Sequence, residues 1–375
     1  MDNSLTKIPL ISVVLPVCNA EAYISEALDS IFAQTFKDFE IIAVNDGSTD
    51  NSFQILEDYA ARDKRIVPHH LQSTGLVGAL NYGIKVARGH YVARMDGDDV
   101  CHPTRFERQI TFLTNNPDIA FLGTQIDILD GDGKAVSRSH FPVDCADVNT
   151  ALLQGFCPFC HPTMMIRREA LLALGGYNSV FQTAEDLELW QRASLKFRLA
   201  NLDEVLFSYR RHDQSVSTTK HRQQIFTHAF AHFCLQQRLA GKQDPSEYMD
   251  NAFSINALPD GELKQTLQQL RDGSEIYYDN LNKSHKDLAL NESEITRVLH
   301  FIRAWRFLAP KPFFSAKENT AFLTQLLFHA KSKHFNHQIG PIKDLLKTID
   351  KSRYRKSALT RNLILWSILV KSWRS

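Results

Sequence analysis

The chain has 375 residues, with 43 lysines and arginines against 42 aspartates and glutamates, a formal net charge of +1 and 43% hydrophobic residues. That length allows two domains and a sizeable core. Overall neutrality gives no footprint for a nucleic-acid partner, so none is expected.

Met1–Pro9 is polar and the apolar run behind it stops at Pro16, which predicts no cleavable signal. Ile11–Pro16 has the length of a buried strand, and Ala22–Ala33 carries Ile24, Ala27, Leu28, Ile31 and Phe32 at helical spacing. This β-then-α unit recurs as Phe39–Val44 with Thr49–Ala61, Ile66–Val67 with Leu76–Ala87, and Tyr91–Arg94 with Pro103–Asn115. Such alternation predicts a mostly parallel sheet with right-handed crossovers. Ile119–Leu129, a Gly131-Asp132-Gly133 turn and a strand toward His140 read instead as a hairpin, so the sheet is expected to be mixed. A helix from Glu185 to Leu195 and a strand at Val205–Ser208 complete a first domain of residues 1–218.

The polar stretch Asp213–Thr219 marks the expected boundary, and 219–375 reads as helical: Gln223–Ala240, Glu262–Arg271, Glu292–Leu308, Asn319–His329 and Ile342–Ile349. From Lys351 to Ser375 there are seven basic residues and no acidic ones around the apolar run Leu363–Val370. Eight apolar residues are too short to span a bilayer. Two readings stay open: an interfacial segment on an anionic membrane surface, or a terminal helix docked on its neighbours.

Six cysteines include Cys157-Pro158-Phe159-Cys160-His161, which formally matches a haem-attachment pattern. Without an export signal, and without a second cysteine pair for zinc, these read as reduced thiols in the cytoplasm.

Two acidic clusters follow strand-like runs: Asn45-Asp46-Gly47-Ser48-Thr49-Asp50 and Met95-Asp96-Gly97-Asp98-Asp99. At the carboxyl ends of strands they occupy the ligand-binding edge of an α/β sheet. The first cluster is also good turn and helix-cap chemistry. In the second, three carboxylates within four residues repel one another unless a cation or sugar hydroxyls lie between them. Arg94, inside a buried strand, needs a partner for its charge.

Together with Ser12–Glu21 and Glu185-Asp186-Leu187-Glu188-Leu189-Trp190, these clusters resemble the motifs of family 2 glycosyltransferases of the GT-A fold, in the family's order, over about residues 9–218. Beyond Ser217 the layout is similar to bacterial transferases that extend lipooligosaccharide or other surface glycans. The resemblance implies an inverting transfer of a sugar from a nucleotide sugar, a UDP-hexose or UDP-N-acetylhexosamine, to a glycan or lipid-linked acceptor. It implies a cytoplasmic enzyme, with a peripheral position on the inner membrane face depending on the basic tail. Pro16, Val17, Asn19 and Glu21 would shape the nucleoside pocket, Asp46 would read the base, and Arg94 would pair with the aspartates or reach the nucleotide. Asp96 would hold the ribose, and Asp98 would ligate Mn²⁺ or Mg²⁺ with His212 as a further ligand. Asp99 would bind indirectly or cap the next helix. Asp186 would be the catalytic base, Glu185 would face the donor sugar or the loop holding Asp186, and His161 would line the acceptor cleft. Trp190 would lie in that cleft or in the core.

Rival readings are a nucleotidyltransferase, a dinucleotide-dependent oxidoreductase and an inactive sugar-nucleotide-binding module. The first two need a glycine-rich loop after the first strand, where Val17-Cys18-Asn19-Ala20-Glu21 stands.

Overall fold

The structure, a computed structural model, describes residues 7–212, 221–252, 254–258, 260–280, 283, 287–305, 316–333 and 335–353. The Asp213–Thr219 stretch and residues 354–375, with the apolar core of the basic tail, lie outside the described residues. No described helix is long and apolar enough to cross a membrane.

The chain divides into two compact units, Met1–Lys264 and Gln265–Ser375. In the first, β1 (Ile11–Val17), α1 (Ile24–Phe32), β2 (Phe39–Asp46), α2 (Ser52–Arg62), β3 (Ile66–Leu71), α3 (Gly75–Val86) and β4 (Tyr91–Arg94) follow the expected alternation. Then come β5 (Val100–Cys101), α4 (Arg105–Asn115), β6 (Ile119–Leu129), β7 (Ala135–Arg138), α5 (Cys145–Leu153), β8 (Met165–Arg167), α6 (Arg168–Ala173), α7 (Glu185–Ser194) and β9 (Arg198–Arg210). The nine strands run in the order β3-β2-β1-β4-β8-β6-β9-β5, with β7 on β6. β1, β2, β3 and β4 pair in parallel, whereas β8 is antiparallel to both β4 and β6. The sheet is mixed, as expected, although β8 and the start of β9 carried no strand signal. β8 has only three residues, too few for a period-2 pattern to show.

Strand alternation sorts the core into two layers. Ile11, Val13, Leu15 and Val17 of β1 pack with α1, α2 and α4 on one face, while Val14, Ile42 and Val44 pack with α3, α5, α6 and α7 on the other. Pro16 sits in this central strand without harm. The carbonyls of Leu10 and Val14 accept from β4 and the residue after it, so even-numbered residues of β1 face β4. The β4 register ends at Val14↔Arg94, and the N–H that Pro16 lacks would point where no strand continues.

The sequence places a boundary at residue 218, but α8 (His221–Leu239) belongs to the first unit. It packs on the segment around α7: Phe181 stacks on Phe230 at 5.2 Å, Thr183 and Thr227 share a 2.7 Å hydrogen bond, and Arg238 pairs with buried Glu188. The residues announce a helix, not which core it joins. The second unit carries α10 (Glu292–Trp305), α11 (Ala316–Ser332), α12 (Asn336–Arg353) and most of α9 (Glu262–Asn280). Its core centres on Tyr277, whose ring meets Phe301 at 5.5 Å and Phe322 at 4.9 Å.

Candidate active site

Parallel pairing of β1, β2 and β4 brings their carboxyl ends to one edge of the sheet, Val17 beside Asn45 and Val14 beside Arg94. The loops after β1 and β2 are laced together there. Asn19, held at φ 51°, accepts at Oδ1 from Thr49 N at 2.8 Å, and its own N–H donates to Ser48 Oγ at 3.0 Å. Glu21 Oε2 accepts from Asn51 N and Nδ2 at 3.0 and 2.8 Å. Both side chains thus brace the two loops that flank the buried strand-end residues Pro16 and Val17.

Asp46 is 6% exposed and accepts at Oδ1 from Thr74 N and Oγ1 at 2.6 and 2.8 Å, and at Oδ2 from Gly75 N at 2.7 Å. It caps α3 from another strand. A charged acceptor at free helix N–H groups is favourable by hydrogen bonding and by the helix dipole. Gly47 makes this turn possible: its φ is +75°, and a Cβ would lie 3.1 Å from Ser73 N.

The second cluster is built differently. Asp96, Asp98 and Asp99 present carboxylate oxygens all within 4.8 Å of one another. Asp96 forms an ion pair with buried Arg94, answering the sequence's demand for a partner. Asp98 Oδ2 meets His212 Nε2 at 3.0 Å. Asp99 is 1% exposed; its Oδ1 accepts from Arg210 N at 2.8 Å, but its Oδ2 is buried with no hydrogen-bond partner. Burial, then the charges of Asp98 and Asp96, push the Asp99 carboxyl well above the usual range. Burial raises Asp96 too, opposed by Arg94 and reinforced by Asp98 and Asp186. Three crowded oxygen donors with one left unpartnered fit a hard divalent cation.

Glu185 and Asp186 open α7 on the facing side of this field. Burial, then the charge of Asp186, raises Glu185 to about 8. Asp186 Oδ1 accepts from Leu187 N at 2.7 Å, and the Cys157 thiol donates to its Oδ2 at 3.8 Å. His161 reaches the pair: its Nδ1 is 3.7 Å from Glu185 Oε1, and its Nε2 shares a 2.7 Å hydrogen bond with Tyr177 Oη. Burial and the charge of Arg94 hold His161 well below the usual imidazole range, so it stays neutral.

Trp190, left open between cleft and core, is core. It is fully buried, with its ring edge-on to Phe121, Phe159 and His161 at 5.7, 5.9 and 5.8 Å. Sequence reasoning missed four other contributors. Thr74 completes the Asp46 cap, Cys157 contacts Asp186, Arg210 pins Asp99, and His228 on α8 senses the Asp186 charge. Arg210 had a local signal in Tyr209-Arg210-Arg211-His212, and Cys157 in the Cys157–His161 run, though neither pointed to these contacts.

The chain has known relatives. Residues 12–175 match the family described as Glycosyl transferase family 2. The chain is 31% identical over 314 residues to an uncharacterized glycosyltransferase of Haemophilus influenzae, covering 79% of this chain and 91% of that one. It is 34% identical over 218 residues to the O-antigen biosynthesis glycosyltransferase WbnJ of Escherichia coli, covering 56% of this chain and 84% of WbnJ. Among solved structures, the S. aureus TarS fragment 1-349 in complex with UDP-GlcNAc superposes with a TM-score of 0.53 at 19% identity, over 92% of this chain and 93% of that one. The GT-A fold with a helical C-terminal region is therefore present, and the chain belongs to glycosyltransferase family 2.

Proposed function

We propose that this glycosyltransferase is inverting and metal-dependent, moving a hexosyl or N-acetylhexosaminyl group from a UDP-sugar to a hydroxyl of a bacterial surface glycan or its lipid-linked precursor. One observation carries the reading: at the end of β4 the carboxylate oxygens of Asp96, Asp98 and Asp99 lie within 4.8 Å of one another, and a buried oxygen of Asp99 has no hydrogen-bond partner. The UDP-GlcNAc complex of TarS and the O-antigen role in the name of WbnJ support the donor and acceptor classes.

Asp98, with His212 beside it and Asp99 behind, would hold Mn²⁺ or Mg²⁺, and Asp96, paired with Arg94, would hold the ribose. When bound, such a cation supplies Lewis-acid neutralisation of the departing diphosphate. Asp46 keeps the fourth of a carboxylate's roughly four acceptor sites for a base N–H, the other three being taken by Thr74 and Gly75. Burial and the charge of Asp186 push Glu185 up to about 8, so Glu185 holds a proton at neutral pH. Asp186 then removes the acceptor hydroxyl proton as that oxygen attacks the anomeric carbon opposite the diphosphate.

Asp186→Asn keeps the shape of the side chain but not the proton acceptor. With UDP-sugar donors and Mn²⁺, turnover should fall by about 10²-fold or more while nucleotide binding persists. Near-normal turnover would remove Asp186 from the role, and no donor turnover by the wild type would return the protein to a binding module.

A further inference from the structure

The Arg210 guanidinium is 5% exposed, turned away from solvent into the back of the acidic turn. Its Nε donates to the Asp98 carbonyl at 3.0 Å, its backbone N–H donates to Asp99 Oδ1 at 2.8 Å, and its Nη2 donates to Glu26 Oε2 at 2.7 Å. The Tyr23 ring completes the group: the guanidinium carbon lies 5.0 Å from its centroid, and the His212 ring centroid also lies 5.0 Å from it. Tyr23 and Glu26 stand three residues apart at the start of α1, so one helical face presents both.

The geometry points to Arg210, Tyr23 and Glu26 as a positioning brace that holds the Asp98-Asp99 turn and the His212 imidazole in the arrangement a divalent cation requires. The inference rests on the metal-dependent reading above. None of the three residues supplies a ligand. Arg210 fixes both the main chain and the carboxylate of the turn, and Tyr23 fixes the planes of Arg210 and His212. Glu26 fixes the fork of the guanidinium, which would otherwise be free to swing toward the carboxylates and compete with a cation for them. A purely structural role is a poor account of Glu26. Its side chain is 59% exposed, and an ion pair with such a member adds little to stability, whereas its direction on the guanidinium is specific.

The test is Mn²⁺ binding followed by the loss of the free-ion electron paramagnetic resonance signal, alone and with UDP, GDP or dTDP, for the wild type, Glu26→Gln, Tyr23→Leu, Arg210→Lys and Asp186→Asn. The brace predicts that Glu26→Gln and Arg210→Lys weaken Mn²⁺ by about 10- to 100-fold, as partners behind metal ligands usually do. Glu26→Gln should keep the wild-type urea midpoint, and excess Mn²⁺ should restore most of its kcat without changing the acceptor KM. Asp186→Asn should bind Mn²⁺ as the wild type does. Wild-type Mn²⁺ affinity in Glu26→Gln overturns the brace alone, whether or not Arg210→Lys folds. A wild type that takes up no Mn²⁺ with any of the three nucleotides overturns the metal reading, and the brace with it.

Discussion

The turn after β2 and the turn after β4 look alike as sequence, acidic residues and a glycine behind a buried strand, yet they are opposite in physics. Asp46 has every oxygen engaged by donors from Thr74 and Gly75. Asp96, Asp98 and Asp99 face one another, with one buried oxygen of Asp99 unpartnered. A carboxylate surrounded by N–H groups stabilises the helix it caps, whereas the buried carboxyls of Asp96 and Asp99, crowded beside Asp98, are disfavoured in their ionised forms. The first turn therefore contributes stability, whereas the second costs stability that the proposed cation would offset.

The strongest way to break that contrast is Asp98→Ala. It should abolish transfer and the Mn²⁺-dependent rise in melting temperature with UDP, leaving circular dichroism unchanged. Full activity in excess EDTA would place the chemistry elsewhere.

A second test uses pH. Glu185 is raised from 4.5 to about 8, and Asp96 and Asp99 are raised as well. Across about 4.5 to 8 the folded chain therefore binds more protons at Glu185 than the unfolded chain does, and its contribution to stability is lost as pH rises. In EDTA the urea midpoint of the wild type should fall relative to that of Glu185→Gln as pH rises through that window, the comparison cancelling the opposite contribution of buried His161. A midpoint contribution from Glu185 that rises with pH would contradict the burial assigned to it.

Two smaller effects should carry opposite signs. Asp46→Ala removes a helix cap and should cost about 2 kcal/mol in urea unfolding, with or without metal. Asp99→Asn relieves the crowding of the three carboxyls and should stabilise the chelated protein by on the order of 1 kcal/mol, about 1–2 °C in Tm. Equal signs for the pair would erase the distinction.

Much of the scaffold was legible. The run Ile11–Pro16, the recurring strand and helix spacings and the Gly131-Asp132-Gly133 turn are local signals, and all appear where they were read. The site was legible as a set of residues but less so as an arrangement. Arg94 needed a partner and found Asp96 two residues on, an inference available from chain position. Asn19 and Glu21 read as pocket residues, but they spend their side-chain acceptors on Thr49 and Asn51, about thirty residues away. Trp190 sits one turn into the helix that opens with the candidate base, and its period alone says nothing of whether that face meets water.

What the order of amino acids settles here is local: apolar runs make strands, their periodicity makes helices, and acidic residues directly behind buried strands must lie at the sheet's carboxyl edge. Which of those acids is satisfied depends on groups brought from afar, Thr74 to Asp46 across 28 residues and Arg210 to Asp99 across 111. A hydrogen bond acts over about 3 Å, so its presence follows from where the folded chain puts two groups and not from how far apart they stand in sequence. The same limit governs α8, recognisable as a helix from its residues but assigned to the first unit by tertiary contacts such as Phe230 meeting Phe181 and Arg238 meeting Glu188.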